Sequence, residues 1–280
     1  MHKSQWIVVL TAIVAIVILF FLVKTTPSIP SKTNVVTQKI PTELSIDTIL
    51  FHAKEKLQPE QNNWLGTLEL SITRGDVKKQ QLAVYHQLAH FWKDSARIFE
   101  PYAWYEAEAA RLENSEKNLT FAAHLILDNL RGEENHQLKQ WKALQAKDLF
   151  ERSLKINAEN DSSQVGLGAC FIFGEISENP MEGIQKILKV VEKDSTNVFA
   201  QLILGHGSVI SGQYDKAITR FGNVAQLQPT NLEAIVMLAE VFERKSDKTA
   251  AIKWYRKAAT LVNNPDVLAD IENRIADLSK

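Results

Sequence analysis

The sequence predicts an all-α chain: a solenoid of stacked helical hairpins preceded by a single transmembrane helix. Three observations predict it. The first is self-similarity at a fixed period. Leu204-Gly205 recurs as Leu238-Ala239, Ala217-Ile218 as Ala251-Ile252, Phe221 as Tyr255, Val224 as Ala258 and Leu227 as Leu261, each pair 34 residues apart. Such a period marks one supersecondary unit stacked on copies of itself. The second is spacing within the unit: Ala217, Phe221 and Val224 share one helix face, and Pro229 stands just past its end, where a helix cannot continue. The third is the run Ile7–Val23, 17 residues without a charge.

Composition narrows the function classes. The 280 residues are 45% apolar with a formal net charge of −1, so the chain can bury a large core and shows no basic footprint for nucleic acid. The one cysteine, Cys170, excludes an internal disulfide and a thiolate metal cluster. It lies in an apolar helical run and reads as a small buried hydrophobe.

The Leu-Gly pair, the later Ala, the aromatic four residues on, the small residue three after that and the Pro, on a 34-residue period, resemble the tetratricopeptide repeat (TPR). The match is strong in Val198–Asn231, good in Leu232–Pro265 where Ala239 takes the Gly position, and weaker toward the N-terminus. The resemblance implies a right-handed α-solenoid whose first helices line a concave groove for a peptide or partner helix. The packing logic is that Gly or Ala lets two helices approach while Phe221 or Tyr255 fills the gap beside them.

In chain order, residues 1–24 read as a membrane anchor, with Trp6 and Lys24 as interfacial flanks. A cleaved signal peptide is the rival reading. The run exceeds a usual signal core, and Phe20–Lys24 offers no small-x-small site, which favours the anchor. Lys3 precedes the span while Lys24, Lys32 and Lys39 follow it, so charge alone does not orient it. A short tail before a long domain resembles the signal-anchor arrangement of bacterial periplasmic proteins. The expected location is therefore the inner membrane, single-pass, with the helical domain in the periplasm. Residues 25–41, rich in Thr, Ser and Pro, read as a flexible linker.

Residues 42–75 read as an N-terminal helical hairpin, with Ile46, Ile49, Leu50 and Ala53 on one face and Pro59 opening the second helix. Residues 76–160 hold two degenerate hairpins. The first has helices Asp76–Lys93 and Phe99–Leu112. The second has Leu119–Leu130, a polar break at Arg131–Asn135, and a long helix His136–Ile156. Residues 161–265 hold three repeats, the first with three extra loop residues near Ser177–Pro180, where Asn179 caps the next helix. Residues 266–280 form a capping helix, with Leu268, Ile271, Ile275 and Leu278 inward.

His86 and His90 stand one helical turn apart, a spacing used by helical zinc sites, but Gln87 stands where a metalloprotease needs its glutamate. Gly205-His206-Gly207 falls inside a helix and is no phosphate loop. The reading implies no enzyme, no cofactor and no metal. What remains is a binding groove. By the Leu-Gly register it is lined by Val165, Ala169 and Ile172, then Phe199, Leu202, His206 and Val209, then Glu233, Val236, Glu240 and Glu243. Its upper part is apolar and its lower part acidic, which suits an amphipathic or basic-apolar segment of another protein. The plain alternative is that these residues pack on neighbouring helices of the same stack. The function expected is a membrane-anchored adaptor or assembly factor of the bacterial envelope; the alternative is a self-associating structural protein that forms homo-oligomers.

Overall fold

The computed structural model describes residues 44–74, 78–177 and 179–280, apart from the side chains of 72–74. The expected membrane anchor (7–23) and linker (25–41) lie outside the described residues. Residues 43–280 form one compact unit. Among the described residues every regular element is a helix, and none is long and apolar enough to cross a membrane.

The helices are α1 (Ile46–Lys54), α2 (Pro59–Arg74), α3 (Lys78–His90), a π-helical segment (Phe91–Ala96), α4 (Phe99–Glu113), α5 (Glu116–Leu130), α6 (His136–Ile156), α7 (Asp161–Phe173), α8 (Met181–Lys193), α9 (Val198–Ile210), α10 (Tyr214–Leu227), α11 (Leu232–Arg244), α12 (Lys248–Ala259) and α13 (Pro265–Leu278). Side-chain caps set most starts. Asn135, Asn160, Asn197, Asn231 and Asn264 each accept a first-turn N–H, which supplies a partner to a donor the helix itself leaves free. Asn179 accepts from Met181 N at 3.1 Å, so α8 begins one residue after Pro180. Gly212 ends the α9–α10 turn with φ at 70°, a conformation only glycine adopts freely.

One expectation is corrected. Within the predicted helix Asp76–Lys93, the described residues are α-helical from Lys78 to His90 and then widen into the π segment, which closes at Arg97 with φ 55°. The widening lets two adjacent side chains, Phe91 and Trp92, both bury in the same cluster. Helix α1 packs on α4 and is tied to α2 by the Lys54–Glu69 ion pair at 2.8 Å and by a shared apolar cluster that includes Ala53, Leu65 and Leu68.

From α3 onward the helices pack in successive pairs. Packing is heaviest within the pairs α3/α4, α5/α6, α7/α8, α9/α10 and α11/α12, and the second helix of each pair contacts the first helix of the next. Close approach depends on small residues. A methyl at Gly168 would lie 2.7 Å from the Gly183 carbonyl, and one at Gly183 would lie 2.5 Å from the Gly168 carbonyl. Gly205 sits beneath Phe221, whose ring would be 2.6 Å from an added carbon. The core divides into three clusters, one over α1–α4, one over α4–α9 and one over α9–α13. The first helices α5, α7 and α9 lie side by side, whereas α9 and α11 pack on each other weakly at most.

These contacts predict opposite outcomes for one substitution type. Gly183→Ala gains helix propensity of about 1 kcal/mol but meets backbone that cannot yield, so overpacking of about 1–3 kcal/mol wins and the protein loses stability. Gly222→Ala, with nothing within 4 Å, gains stability by up to about 1 kcal/mol. Denaturant unfolding of both variants checks this.

Candidate interaction site

The face shared by α5, α7, α9 and α11 is held by its helix ends. Arg131 is the residue just after α5, and Gly132 follows it. The turn 131–135 is pinned from beneath by Lys142 of α6. Its buried ammonium pairs with Glu100 at 2.9 Å and with Glu133. A buried charge with two partners holds that turn in place, since losing a partner would cost about 3–5 kcal/mol. Asn135 then caps α6.

From this pinned turn Arg131 reaches across the stack. Its Nη2 hydrogen-bonds Glu233 of α11, 102 residues away, and lies 2.6 Å from Nε2 of His206 on α9. His206 Nε2 also stands 2.7 Å from Glu233 Oε1. The imidazole nitrogen has one role at a time: protonated it donates to Glu233, unprotonated it accepts from Arg131. The guanidinium carbon lies 5.7 Å from the ring centre of Phe173 on α7. Four successive first helices thus converge on one side chain. The cluster bridges α9 and α11, where direct packing is weak. His206 also stands edge-on to Phe173 and Phe221, at 6.1 and 5.2 Å.

Beside it is an open cleft of about 590 Å³ lined by Asp128, Arg131, Gly132, Phe173, His206 and Ile210. Ile210 is 65% exposed. Next along the face, His124 lies between Phe150 and Phe199 and takes Ser162 Oγ at 2.7 Å. Burial lowers the His124 pKa, partly opposed by Asp128.

Apart from Glu233, which joins the Arg131 cluster, the residues expected to line a groove separate into three groups. Val165 and Ala169 have no exposed surface and belong to the core, and Leu202 is also buried; these three are corrected from lining to packing residues. They fail because the register placed them on the side of α7 and α9 that meets other helices. Ile172, Phe199, His206 and Val209 are half-buried on or near the shared face, with Ile172 over Gly207. Val236, Glu240 and Glu243 line a cleft of about 450 Å³ against α12 and α13, with Arg274 and Tyr255. There Glu243 accepts from Arg274 Nε at 3.0 Å and from the Tyr255 hydroxyl at 3.1 Å. Burial, then that hydrogen bond, pushes Tyr255 up to about 12. Two of the three expected acids, Glu233 and Glu243, are therefore already paired inside the chain.

His86 Nδ1 stands 4.0 Å from Glu106, and His90 Nδ1 stands 3.2 Å from Asp94. No cluster of three or more His, Cys, Asp or Glu able to hold a metal occurs among the described residues. Cys170 is fully buried, and burial pushes its thiol pKa up. Sequence reasoning missed Asp128, Arg131, Phe173 and Ile210. Arg131 stood in what read as a polar break, and its partners are too distant in sequence to leave a local signal.

The Glu233 carboxyl is held down to about 2 from an ordinary 4.5. The His206 hydrogen bond comes first, burial opposes it, and Arg131 adds its own hydrogen bond and charge. A depressed carboxyl stabilises the fold fully above its unfolded value and loses that contribution as pH falls through its folded value. The stability difference between wild type and Glu233→Gln should be full above pH 4.5 and shrink toward pH 2. Denaturant unfolding across that range measures it, and a constant difference contradicts the assignment.

No family model matches the chain, and no curated protein matches it. Among solved structures it is similar to MamA 41-end from Desulfovibrio magneticus RS-1, with TM-score 0.45 and 21% identity over 67% of this chain and 96% of that one. It is also similar to YrrB, described as a TPR protein with an unusual peptide-binding site, with TM-score 0.42 and 17% identity over 74% and 97% of the two chains. A tetratricopeptide repeat protein from Parabacteroides merdae ATCC 43184 gives TM-score 0.42 and 12% identity over 82% of this chain and 100% of that one.

Proposed function

We propose that this chain is a non-enzymatic, TPR-type scaffold that binds another protein on the face formed by α5, α7, α9 and α11. We propose further that residues 7–23 anchor it in the inner membrane of a bacterium, with the helical unit on the periplasmic side, where it serves as an adaptor or assembly factor. The 34-residue period and the stacked hairpins support the scaffold reading. The apolar run followed by a Pro- and Ser-containing linker supports the anchor.

One observation carries the binding face: the open cleft in which Ile210 and Phe173 present apolar surface beside Asp128 and Arg131. An exposed large aliphatic side chain in a concavity with polar groups at its edge is the usual form of a protein-binding anchor point.

Crosslinking in membranes, followed by identification of captured proteins, tests this with Ile210→Asp. The exposed position predicts a stability change within about 0.5 kcal/mol, while loss of an anchor weakens capture by tenfold or more, about 1.4 kcal/mol or above. Undiminished capture by the variant removes this face as the site. A mass measurement in solution shows whether the captured partner is a second copy.

A further inference from the structure

We propose that Phe173, His206 and Glu233 form a guanidinium-binding site filled from within by Arg131, and that the partner of this face carries an arginine that exchanges with it. This rests on the scaffold reading above and names the partner's chemistry.

The site has the parts that guanidinium recognition needs. Phe173 supplies a flat aromatic face, Glu233 a carboxylate and His206 a ring nitrogen at 2.6 Å. Those parts come from α7, α9 and α11, three helices that each supply one binding group. Only the occupant comes from α5.

That occupant is removable. Arg131 lies beyond the last residue of α5, and its side chain keeps 28% of its surface exposed. Rotation about its side-chain bonds withdraws the guanidinium without moving a helix. Asp128, exposed and three residues earlier, is within reach as an alternative partner. The cation therefore has two places to be, and an incoming arginine has one to take.

Charge and shape favour such an arrival. Around the cleft Asp128 and Glu233 are two carboxylates against the single guanidinium of Arg131, with His206 between them. Ile210 on the same cleft offers an apolar contact for a neighbouring residue of the partner. The fitting ligand is a segment in which an arginine adjoins a large apolar side chain. In this arrangement Arg131 is an internal stand-in that weakens binding until it is displaced.

The probe is methylguanidinium, with methylammonium as a control that lacks the planar donor fork. Arg131→Ala empties the site, and its melting temperature should rise saturably with methylguanidinium, by about 2–4 °C at several times the dissociation constant. Wild type should respond less, because its site is filled, and the double variant Arg131→Ala/Glu233→Gln should not respond. If Arg131→Ala does not fold, Arg131→Gln serves in its place. In the wild type, the Arg131 Nε–H signal should move toward that of a free arginine as methylguanidinium is added. Equal responses of the single and double variants, or no saturable response in the single variant, overturn the proposal. Membrane crosslinking separates this from the broader reading. Undiminished capture by Ile210→Asp removes the scaffold face, whereas loss of capture there without increased capture by Arg131→Ala removes only the exchange.

Discussion

Everything in the stack follows from how closely two antiparallel helices can approach. At Gly168 and Gly183 the backbones meet so nearly that a single methyl would strike a carbonyl. At Gly205 the missing side chain leaves the space that the Phe221 ring fills. The hairpin angle is set there, and the stacking of one hairpin on the next follows from it. The face of α5, α7, α9 and α11 is a consequence of that stacking. A residue of no chemical interest thereby decides where chemically interesting residues can meet.

Where close packing thins, charge takes over. Helices α9 and α11 belong to a part of the stack where the apolar core divides, and there the Arg131–His206–Glu233 cluster crosses the gap. Its geometry depends on a second, buried ionic group. Lys142, closed between Glu100 and Glu133, holds the turn from which Arg131 departs. The two networks differ in kind. The buried one fixes a loop, because separating its charges in a desolvated setting is costly. The partly exposed one is labile, because water can replace either partner at modest cost.

The C-terminal end shows how a solenoid consumes its own surface. Glu240 and Glu243 occupy repeat positions equivalent to His206 and Val209 on the open face of α9, yet α13 forms the other side of the cleft they line, and Glu243 is bound by Arg274 and Tyr255. A terminal repeat has no successor, so the capping helix takes up the polar and apolar groups the next hairpin would have met. The same register position is thus surface in one repeat and contact in another.

The sequence by itself determined the helical class, the period and most helix limits. The long helix His136–Ile156 and the last helix Pro265–Leu278 stand where periodicity placed them. Such features are local, governed by residues within a turn or two of each other. The π segment at Phe91–Ala96 was not legible, because it answers to the burial of both Phe91 and Trp92 against helices elsewhere in the chain. The site was legible only in part. His206 and Glu233 were readable as lining residues from the repeat register. Tertiary structure decided that Val165 and Ala169 are core, that Glu233 is already partnered, and that Arg131 is its partner. Ion pairing across 102 residues leaves no periodic trace, since it depends on where two helix ends arrive in space and not on what stands beside either of them.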